Sequence, residues 1–280
     1  MRKRSGAVML RQRIVTAFIL VALVLAVIVL FPSAWFQIFV ALFIALGAAE
    51  WSVLAGLPGV AWRAGFAVVC LALMFVLAHI ELALGEMLLT ASAMWWVIAF
   101  VFVWLYPKAA GLWHRRAVLL PLGIVVLMPG FIALARLRGL EDHVFYIVLL
   151  IGLIAAADSG AYFAGRAFGK HKLAPQVSPN KTWEGFAGGQ VAVCAVLWAA
   201  LLARGVELNG TQAVLVTLGA SVLAAASVVG DLFESMLKRQ AGVKDSGALL
   251  PGHGGVLDRI DSLTAALPVY GVLLLQAGIL

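Results

Sequence analysis

The sequence predicts an all-α integral membrane protein with about nine transmembrane helices, its N-terminus in the cytosol and its C-terminus outside. Of its 280 residues, 64% are hydrophobic and 12% are charged, whereas a soluble domain has about 45–50% apolar and about 25% charged residues. Apolar stretches long enough to cross a bilayer recur along the whole chain. The basic residues concentrate in alternate connecting segments, which indicates a defined orientation in the membrane.

The candidate spans follow one another from the N-terminus. They cover residues 14–31, 34–50, 65–80, 87–106, 117–135, 144–165, 186–203, 212–230 and 262–280. The basic start of the chain, followed by an apolar run, is also typical of a signal peptide. However, Phe31-Pro32-Ser33 offers no small-residue cleavage site, and a second apolar run follows at once. We therefore predict an uncleaved first span.

The distribution of lysine and arginine predicts the orientation of these spans. With the N-terminus inside, seventeen of the twenty basic residues fall in inner segments, and only Arg136, Arg138 and Arg204 fall outside. The net charge of +7 is therefore explained by topology and by attraction to anionic headgroups. Nucleic-acid binding is not expected, because the sequence has no basic domain outside the membrane.

The polar residues divide the chain into two halves. Residues 1–140 are plain spans with short connectors and are predicted to form a scaffold. Residues 141–280 are predicted to form the catalytic half, with cytosolic loops at 166–185 and 231–261. The two cysteines, Cys70 and Cys194, lie in separate apolar runs, which excludes a disulfide framework or a thiolate metal site.

The segment 231–261 is rich in charged residues of both signs. It contains Lys238, Arg239, Lys244, Arg259, Asp231, Glu234, Asp245, Asp258 and Asp261. Charges at the depth of a membrane are costly and usually mark a functional site. Carboxylates hold Mg²⁺ through oxygen ligands, while cations and the metal neutralise phosphate oxygens. This composition therefore favours phosphate chemistry.

The spacing of the acids predicts a metal site between two spans. Asp258 and Asp261 are three residues apart, as are Asp231 and Glu234, so each pair shares a helical face if the spans extend that far. The glycine-rich turn at 251–255 could expose backbone N–H groups to phosphate. It is not a Walker A loop, because the G-x-x-x-x-G-K-[ST] pattern is absent.

Two segments of the chain resemble the phosphatidate cytidylyltransferases, also called CDP-diacylglycerol synthases. The first pattern is Ser235-x-x-Lys238-Arg239, Lys244-Asp245, Pro251-Gly252-His253-Gly254-Gly255 and Asp258-Arg259-x-Asp261. The second segment, 158–185, is similar to the family except that Asn180 stands where lysine is more frequent. The family is also multi-spanning, with the first pattern just before its last span.

The resemblance implies that CTP and phosphatidic acid react to give CDP-diacylglycerol and pyrophosphate, with Mg²⁺ as cofactor. The lipid phosphate would attack the α-phosphorus of CTP in line. The implied catalytic residues are Lys238, Arg239, Lys244, Asp245, His253, Asp258, Arg259 and Asp261. The implied substrate-binding residues are Ser178, Lys181, Thr182, Ser235, Gly254 and Gly255, and the metal ligands Asp231, Asp258 and Asp261. The expected location is a bacterial inner membrane, with the site facing the cytosol; a homodimer is left open.

Several polar residues have a structural alternative. Asp158 could pair with Arg166 two turns later instead of serving the site, and Asp245 could form a local ion pair with Lys244. His253 could act as a general base, or it could bind phosphate or shape its loop. Glu184 could simply cap the first turn of the seventh span, with a serine or threonine reciprocating, and Glu50 at the inner end of a span is more typical of an interfacial anchor than of a ligand.

Three other functions compete with the one implied by the family. A CDP-alcohol phosphotransferase would need a D-G-x-x-A-R run, which the sequence lacks, and a polyprenol kinase is the other lipid-headgroup enzyme to consider. A transporter or channel would place broken helices round a midplane site, whereas here the polar residues crowd at one face. A structural scaffold would leave the clustering of acids and bases unexplained.

Overall fold

A computed structural model describes residues 2–250, 252 and 254–280 of the chain; of residues 2–14 and 17, only the backbone is described. The described residues are almost entirely helical, with one short antiparallel hairpin. The helices are α1 (Arg2–Leu30), α2 (Ser33–Leu54), α3 (Gly59–Leu77), α4 (Leu82–Leu105), α5 (Arg116–Arg138), α6 (His143–Phe168), α7 (Trp183–Ala203), α8 (Gly210–Gln240) and α9 (Leu257–Gln276). The strands are β1 (Lys172–Ala174) and β2 (Ser178–Thr182).

The helices confirm the class of an all-α, multi-pass membrane protein. In the described part of the chain, seven helices, α2 to α8, are long and apolar enough to cross a membrane. Large apolar side chains such as Phe75, Val97 and Val191 project outward from them, as expected when the surrounding solvent is lipid. The total of nine spans and the orientation of the termini stay predictions, because α1 is apolar only over Phe18–Leu30 and α9 begins with charged residues.

Helix α9 occupies the centre of the bundle. It contacts α2, α4, α5, α6 and α8, and its residues Ala265, Ala266 and Leu267 are buried. Helices of the predicted scaffold half therefore pack directly against a helix of the predicted catalytic half. The start of α9, which carries the last acids of the motif, is held by elements from both halves.

Helices α6 and α7 pack closely through small residues. A Cβ atom added at Gly160 would lie 2.6 Å from both the Ala192 Cβ atom and the Gly188 carbonyl oxygen. Small residues let backbones approach in this way inside a membrane. Because β1 and β2 connect these two helices, the tight pair determines where the hairpin projects.

The structure differs from the sequence-based prediction in the segments that connect the later spans. The predicted loop 166–185 contains the hairpin, and α8 continues to Gln240, although the predicted span ended at residue 230. Hydropathy indicates where contact with lipid ends, but a helix can continue beyond that point. Side-chain pairs four residues apart, such as Glu234 with Lys238, stabilise the continuation. Residues 231–240 are therefore helical, and only the remainder of 231–261 connects α8 to α9.

Candidate active site

The site forms where α8 and α9 come into contact. A Cβ atom added at Gly230 would lie 2.5 Å from the Asp261 backbone oxygen and 3.1 Å from the Ala265 Cβ atom. Only glycine permits this approach of the two backbones. Asp231, the next residue on α8, is thereby placed where its charge acts on the Asp261 carboxyl. Acids of α8 and α9 therefore act on each other electrostatically, and the metal site expected from their spacing stays a prediction.

Asp258 lies in the first turn of α9, and its side chain accepts hydrogen bonds from the loop that precedes this helix. Its Oδ1 atom is 2.7 Å from Lys238 Nζ, and its Oδ2 atom accepts hydrogen bonds from the backbone N–H groups of Gly255 at 2.8 Å and Ser246 at 3.0 Å. A carboxylate in the first turn also interacts favourably with the helix dipole. Asp258 therefore joins α8, α9 and the intervening loop, and both of its oxygens are engaged.

Lys238 is buried in α8 between two carboxylates. Its Nζ atom lies 3.3 Å from Glu234 Oε1 in addition to its contact with Asp258. Glu234 is also buried, with 3% of its surface exposed. Buried charges require partners, so these three residues form one unit inside the site. The sequence predicted Lys238 and Asp258 as site residues, whereas Glu234 entered only as the acid spaced with Asp231 and was not among the predicted site residues.

The hairpin joins the second motif segment to this unit. Lys181 Nζ in β2 lies 2.6 Å from Asp231 Oδ2, and Ser235 Oγ donates to Asp231 Oδ1 at 3.2 Å. Arg239 Nε is 3.4 Å from the Val177 carbonyl oxygen in the hairpin turn. The two motif segments therefore lie in contact with each other in the folded chain.

The Asp158 carboxyl group interacts with charges of this cluster rather than with Arg166. The charges of Lys181 and Asp231 act on its carboxyl group. Arg166 instead donates a hydrogen bond to the Tyr162 hydroxyl, at 3.2 Å, and the ion pairs found among the described residues do not include one with Asp158. The alternative of an Asp158–Arg166 ion pair is therefore not found among the described residues.

Two residues of the second segment hold local structure. Thr182 is buried at the N-cap of α7, where its hydroxyl accepts a hydrogen bond from the Gly185 N–H group at 3.1 Å. This capping bond gives Thr182 a structural role where a phosphate contact was predicted. Glu184 does not complete a capping box with it, since its carboxylate accepts hydrogen bonds from the N–H groups of Lys170 and His171.

Two glycines of the glycine-rich turn adopt positive φ values, and the N–H group of a third, Gly255, is used within the site. Gly252 and Gly254 have φ values of 77° and 82°, a region that favours glycine. The Leu250 N–H group donates to the Gly254 carbonyl at 2.9 Å. Because the Gly255 N–H group donates to Asp258, it is not free to bind phosphate as predicted. His253 lies outside the described residues.

Several predicted site residues are exposed around the cluster. Lys244, Asp245 and Arg259 face solvent, and Ser178, half-buried, begins β2. The ion pairs found in the described residues do not include the suggested one between Lys244 and Asp245. The ion pairs of the buried unit therefore do not fix these side chains.

Glu50 is a site neighbour that the sequence analysis interpreted as an interfacial residue. Its carboxylate instead accepts hydrogen bonds from the Ser246 hydroxyl and from the N–H groups of Val256 and Leu257. Glu234 lies among the charged residues of the motif segment, which is the signal that could have marked it. The sequence round Glu50 carries no such signal.

The carboxylates provide donors of the kind that Mg²⁺ prefers, although they are not gathered into one cluster. Among the described residues, no group of three or more Asp, Glu, His or Cys side chains converges closely enough to hold a metal ion. The Glu234 carboxyl lies beside that of Asp261, and within the described residues neither Glu234 oxygen has a hydrogen bond of good geometry. The neighbouring carboxyl groups of Glu234 and Asp261 therefore offer oxygen ligands of the kind that a hard cation takes.

The chain is similar to known proteins over nearly its whole length. The model of the cytidylyltransferase family matches residues 11–276. A protein of Pseudomonas aeruginosa named phosphatidate cytidylyltransferase is 46% identical over 96% of this chain and 98% of its own length. A protein of the same name from Haemophilus influenzae is 39% identical over 94% of this chain and 97% of its own length.

Proposed function

The chain belongs to the cytidylyltransferase family, and from this membership we infer that it transfers a cytidylyl group from CTP to phosphatidic acid. The products are CDP-diacylglycerol, which serves phospholipid synthesis, and pyrophosphate. The geometric observation that carries this inference is the ion pair between Lys181 and Asp231. It unites two motif segments, separated along the chain, into one cluster of cations and carboxylates.

We propose that the site faces the cytosol of a bacterial inner membrane. CTP is a cytosolic nucleotide, whereas phosphatidic acid is held in the bilayer by its acyl chains. The cluster lies where α8 continues beyond its apolar part and where α9 begins, so both substrates could reach it without either one crossing the membrane. The excess of basic residues in the same connecting segments supports this orientation.

The transfer requires the phosphates to be aligned and their charge to be neutralised. An oxygen of the lipid phosphate forms a bond to the α-phosphorus of CTP, and the bond to the bridging oxygen breaks, so that pyrophosphate leaves with that oxygen. Positioning and electrostatic stabilisation carry such a reaction. We assign the binding of phosphate oxygens to the exposed cations Arg239, Lys244 and Arg259, because arginine can grip two oxygens at once.

The buried residues hold this arrangement in place. Lys238 is fixed by Asp258 and Glu234 at 2.7 and 3.3 Å, so its charge is presented from a rigid helix. A preorganised charge such as that of Lys238 stabilises a transition state without reorganisation. Lys181 pairs with Asp231 and would pass from that carboxylate to a nucleotide phosphate.

We propose that Asp231 and Asp261 hold Mg²⁺. When bound, the metal would neutralise charge on the nucleotide phosphates and on the leaving pyrophosphate. Within the described residues, Asp231 is engaged only by the side chains of Lys181 and Ser235, which can turn away when a metal binds. Asp258 was predicted as a third ligand, but besides Lys238 it is held by the backbone N–H groups of Ser246 and Gly255. We therefore assign Asp258 to the positioning of Lys238 and of the loop.

The reaction can be tested with purified protein in detergent, CTP, Mg²⁺ and phosphatidic acid. Release of pyrophosphate that requires both substrates is expected, and a chelator should stop it until Mg²⁺ or Mn²⁺ is restored. A lipid kinase would release CDP instead of pyrophosphate, and a transporter would release neither. Either result would contradict the proposal.

A further inference from the structure

Glu50 connects the scaffold half of the protein to the motif loop. It lies near the C-terminal end of α2, about two hundred positions before the residues that it binds. Its Oε1 atom accepts a hydrogen bond from the Val256 N–H group at 3.0 Å. Its Oε2 atom accepts hydrogen bonds from the Leu257 N–H group at 2.8 Å and from the Ser246 hydroxyl at 2.9 Å.

These hydrogen bonds satisfy groups that the protein must otherwise leave unpaired. Val256 is the N-cap of α9 and Leu257 is its first residue, so no carbonyl within the helix can accept from their N–H groups. Both residues are buried, which makes an unpaired N–H group costly. The negative charge also interacts favourably with the N-terminus of α9.

Glycines on the loop leave room for the Glu50 carboxylate. A Cβ atom at Gly247 would collide with Glu50 Oε1, and a Cβ atom at Gly255 would collide with Glu50 Oε2 and Ser246 Oγ. Neither glycine has a positive φ, so close packing, rather than backbone conformation, accounts for glycine at both positions. The loop is therefore shaped round this side chain from α2.

Ser246 links Glu50 to the reaction site. Its hydroxyl donates to Glu50 while its backbone N–H group donates to Asp258 at 3.0 Å. Asp258 in turn holds Lys238 at 2.7 Å. A continuous chain of hydrogen bonds thus runs from α2 through the loop to the buried lysine.

We propose that Glu50 is a positioning residue for cytidylyl transfer: it holds the loop and the start of α9 so that Lys238, Asp258 and Asp261 keep their places. This inference rests on the proposed function. Glu50 does not need to touch either substrate, since it acts through Ser246 and the two amides. A shift of about 1 Å at such a site can cost on the order of 10²-fold in rate.

The test is Glu50→Gln, which keeps the size of the side chain. The amide has one acceptor oxygen, so its NH₂ group must face either the Val256 N–H group or the Leu257 N–H group. We expect kcat/KM for CTP to fall by roughly 10- to 100-fold per folded molecule, with the folded fraction measured by gel filtration and thermal unfolding in detergent. Amide hydrogen exchange at Val256 and Leu257 should become faster.

Two further variants make the result specific. Glu81→Gln removes an exposed carboxylate from the N-cap of α4 and should leave kcat and KM unchanged. Ser246→Ala removes the hydroxyl that donates a hydrogen bond to Glu50. Because both substitutions affect this same bond, the fold-loss of kcat/KM in the double variant should be smaller than the product of the two single fold-losses.

The outcomes separate this inference from the proposed function. Unchanged kinetic constants per folded Glu50→Gln molecule, even with less folded protein, would overturn the positioning role and leave only a structural one. If the wild-type protein formed no CDP-diacylglycerol, the proposed function would fail. Hydrogen exchange would still decide whether Glu50 holds the loop, and wild-type protection of Val256 and Leu257 in Glu50→Gln would show that it does not.

Discussion

Lys181 on the hairpin and Asp231 on α8 form an ion pair of 2.6 Å between Nζ and Oδ2. The hairpin is short, and it is attached to the bundle by α6 and α7. Asp231 lies next to the contact between α8 and α9. Its ion pair with Lys181 therefore holds the hairpin segment against the segment that joins these two helices. Several testable properties depend on this and related contacts.

Asp231 and Asp258 should act as parts of one unit. Asp231→Asn and Asp258→Asn remove charge with little change in volume, and each should lower kcat/KM on the order of 10²-fold, as with other groups that stabilise transition-state charge. The double variant should be little worse than the more damaged single one. Steady-state kinetics of all three variants would measure this, and multiplicative losses would mean independent roles.

Removal of Lys238 should destabilise the protein. Lys238→Met leaves Glu234 and Asp258 without their shared cation in a buried environment, and loss of one partner of a buried ion pair costs about 3–5 kcal/mol. We expect a clearly lower unfolding temperature in detergent. Lys244→Met is the matched comparison, since Lys244 is exposed. Equal unfolding temperatures for the two variants would contradict the buried-unit interpretation.

The contact between α8 and α9 should be sensitive to one methyl group. Gly230→Ala would place a Cβ atom 2.5 Å from the Asp261 backbone oxygen, which cannot be relieved without moving one helix. Activity should fall by on the order of 10²-fold. In the same helix, Gly210→Ala meets no atom within 4 Å and should be harmless. Normal activity of Gly230→Ala would show that the helix contact does not position the site.

The predicted orientation can be tested with two valines of similar exposure. Val243 lies between α8 and α9 and Val206 between α7 and α8, with 39% and 43% of their surfaces exposed. In a background lacking Cys70 and Cys194, Val206→Cys should react with a membrane-impermeant thiol reagent applied to intact cells. Val243→Cys should react only after the cells are opened. Labelling of Val243→Cys from outside would reverse the topology and remove the site from the side that holds CTP.

The membrane class and the location of the helices could be predicted from the sequence. An apolar stretch of span length has few alternatives to a helix in lipid, because every backbone group must be hydrogen-bonded internally. The boundaries were less certain, as α8 shows. Its apolar part ends near Gly230, but the helix runs to Gln240. The i,i+4 ion pair between Glu234 and Lys238 favours the helical conformation of these last turns.

Part of the site could also be predicted from the sequence alone. Asp231, Lys238, Asp258 and Asp261 stand in a pattern whose charges have no purpose in a plain connector. The partner of each charge could not be predicted, because partners depend on how helices pack. Asp258 was expected to bind metal but accepts hydrogen bonds from Lys238, Ser246 and Gly255.

Only the tertiary structure decided the role of the first half of the chain. Glu50 carries no motif, and its residue type and surroundings in the sequence are those of an ordinary interfacial acid. It becomes a partner of Val256 and Leu257 because α2 packs against α9 in the folded bundle. Local sequence determines which residues can bear charge and where a helix can form, whereas contacts between residues two hundred positions apart exist only after the helices have assembled.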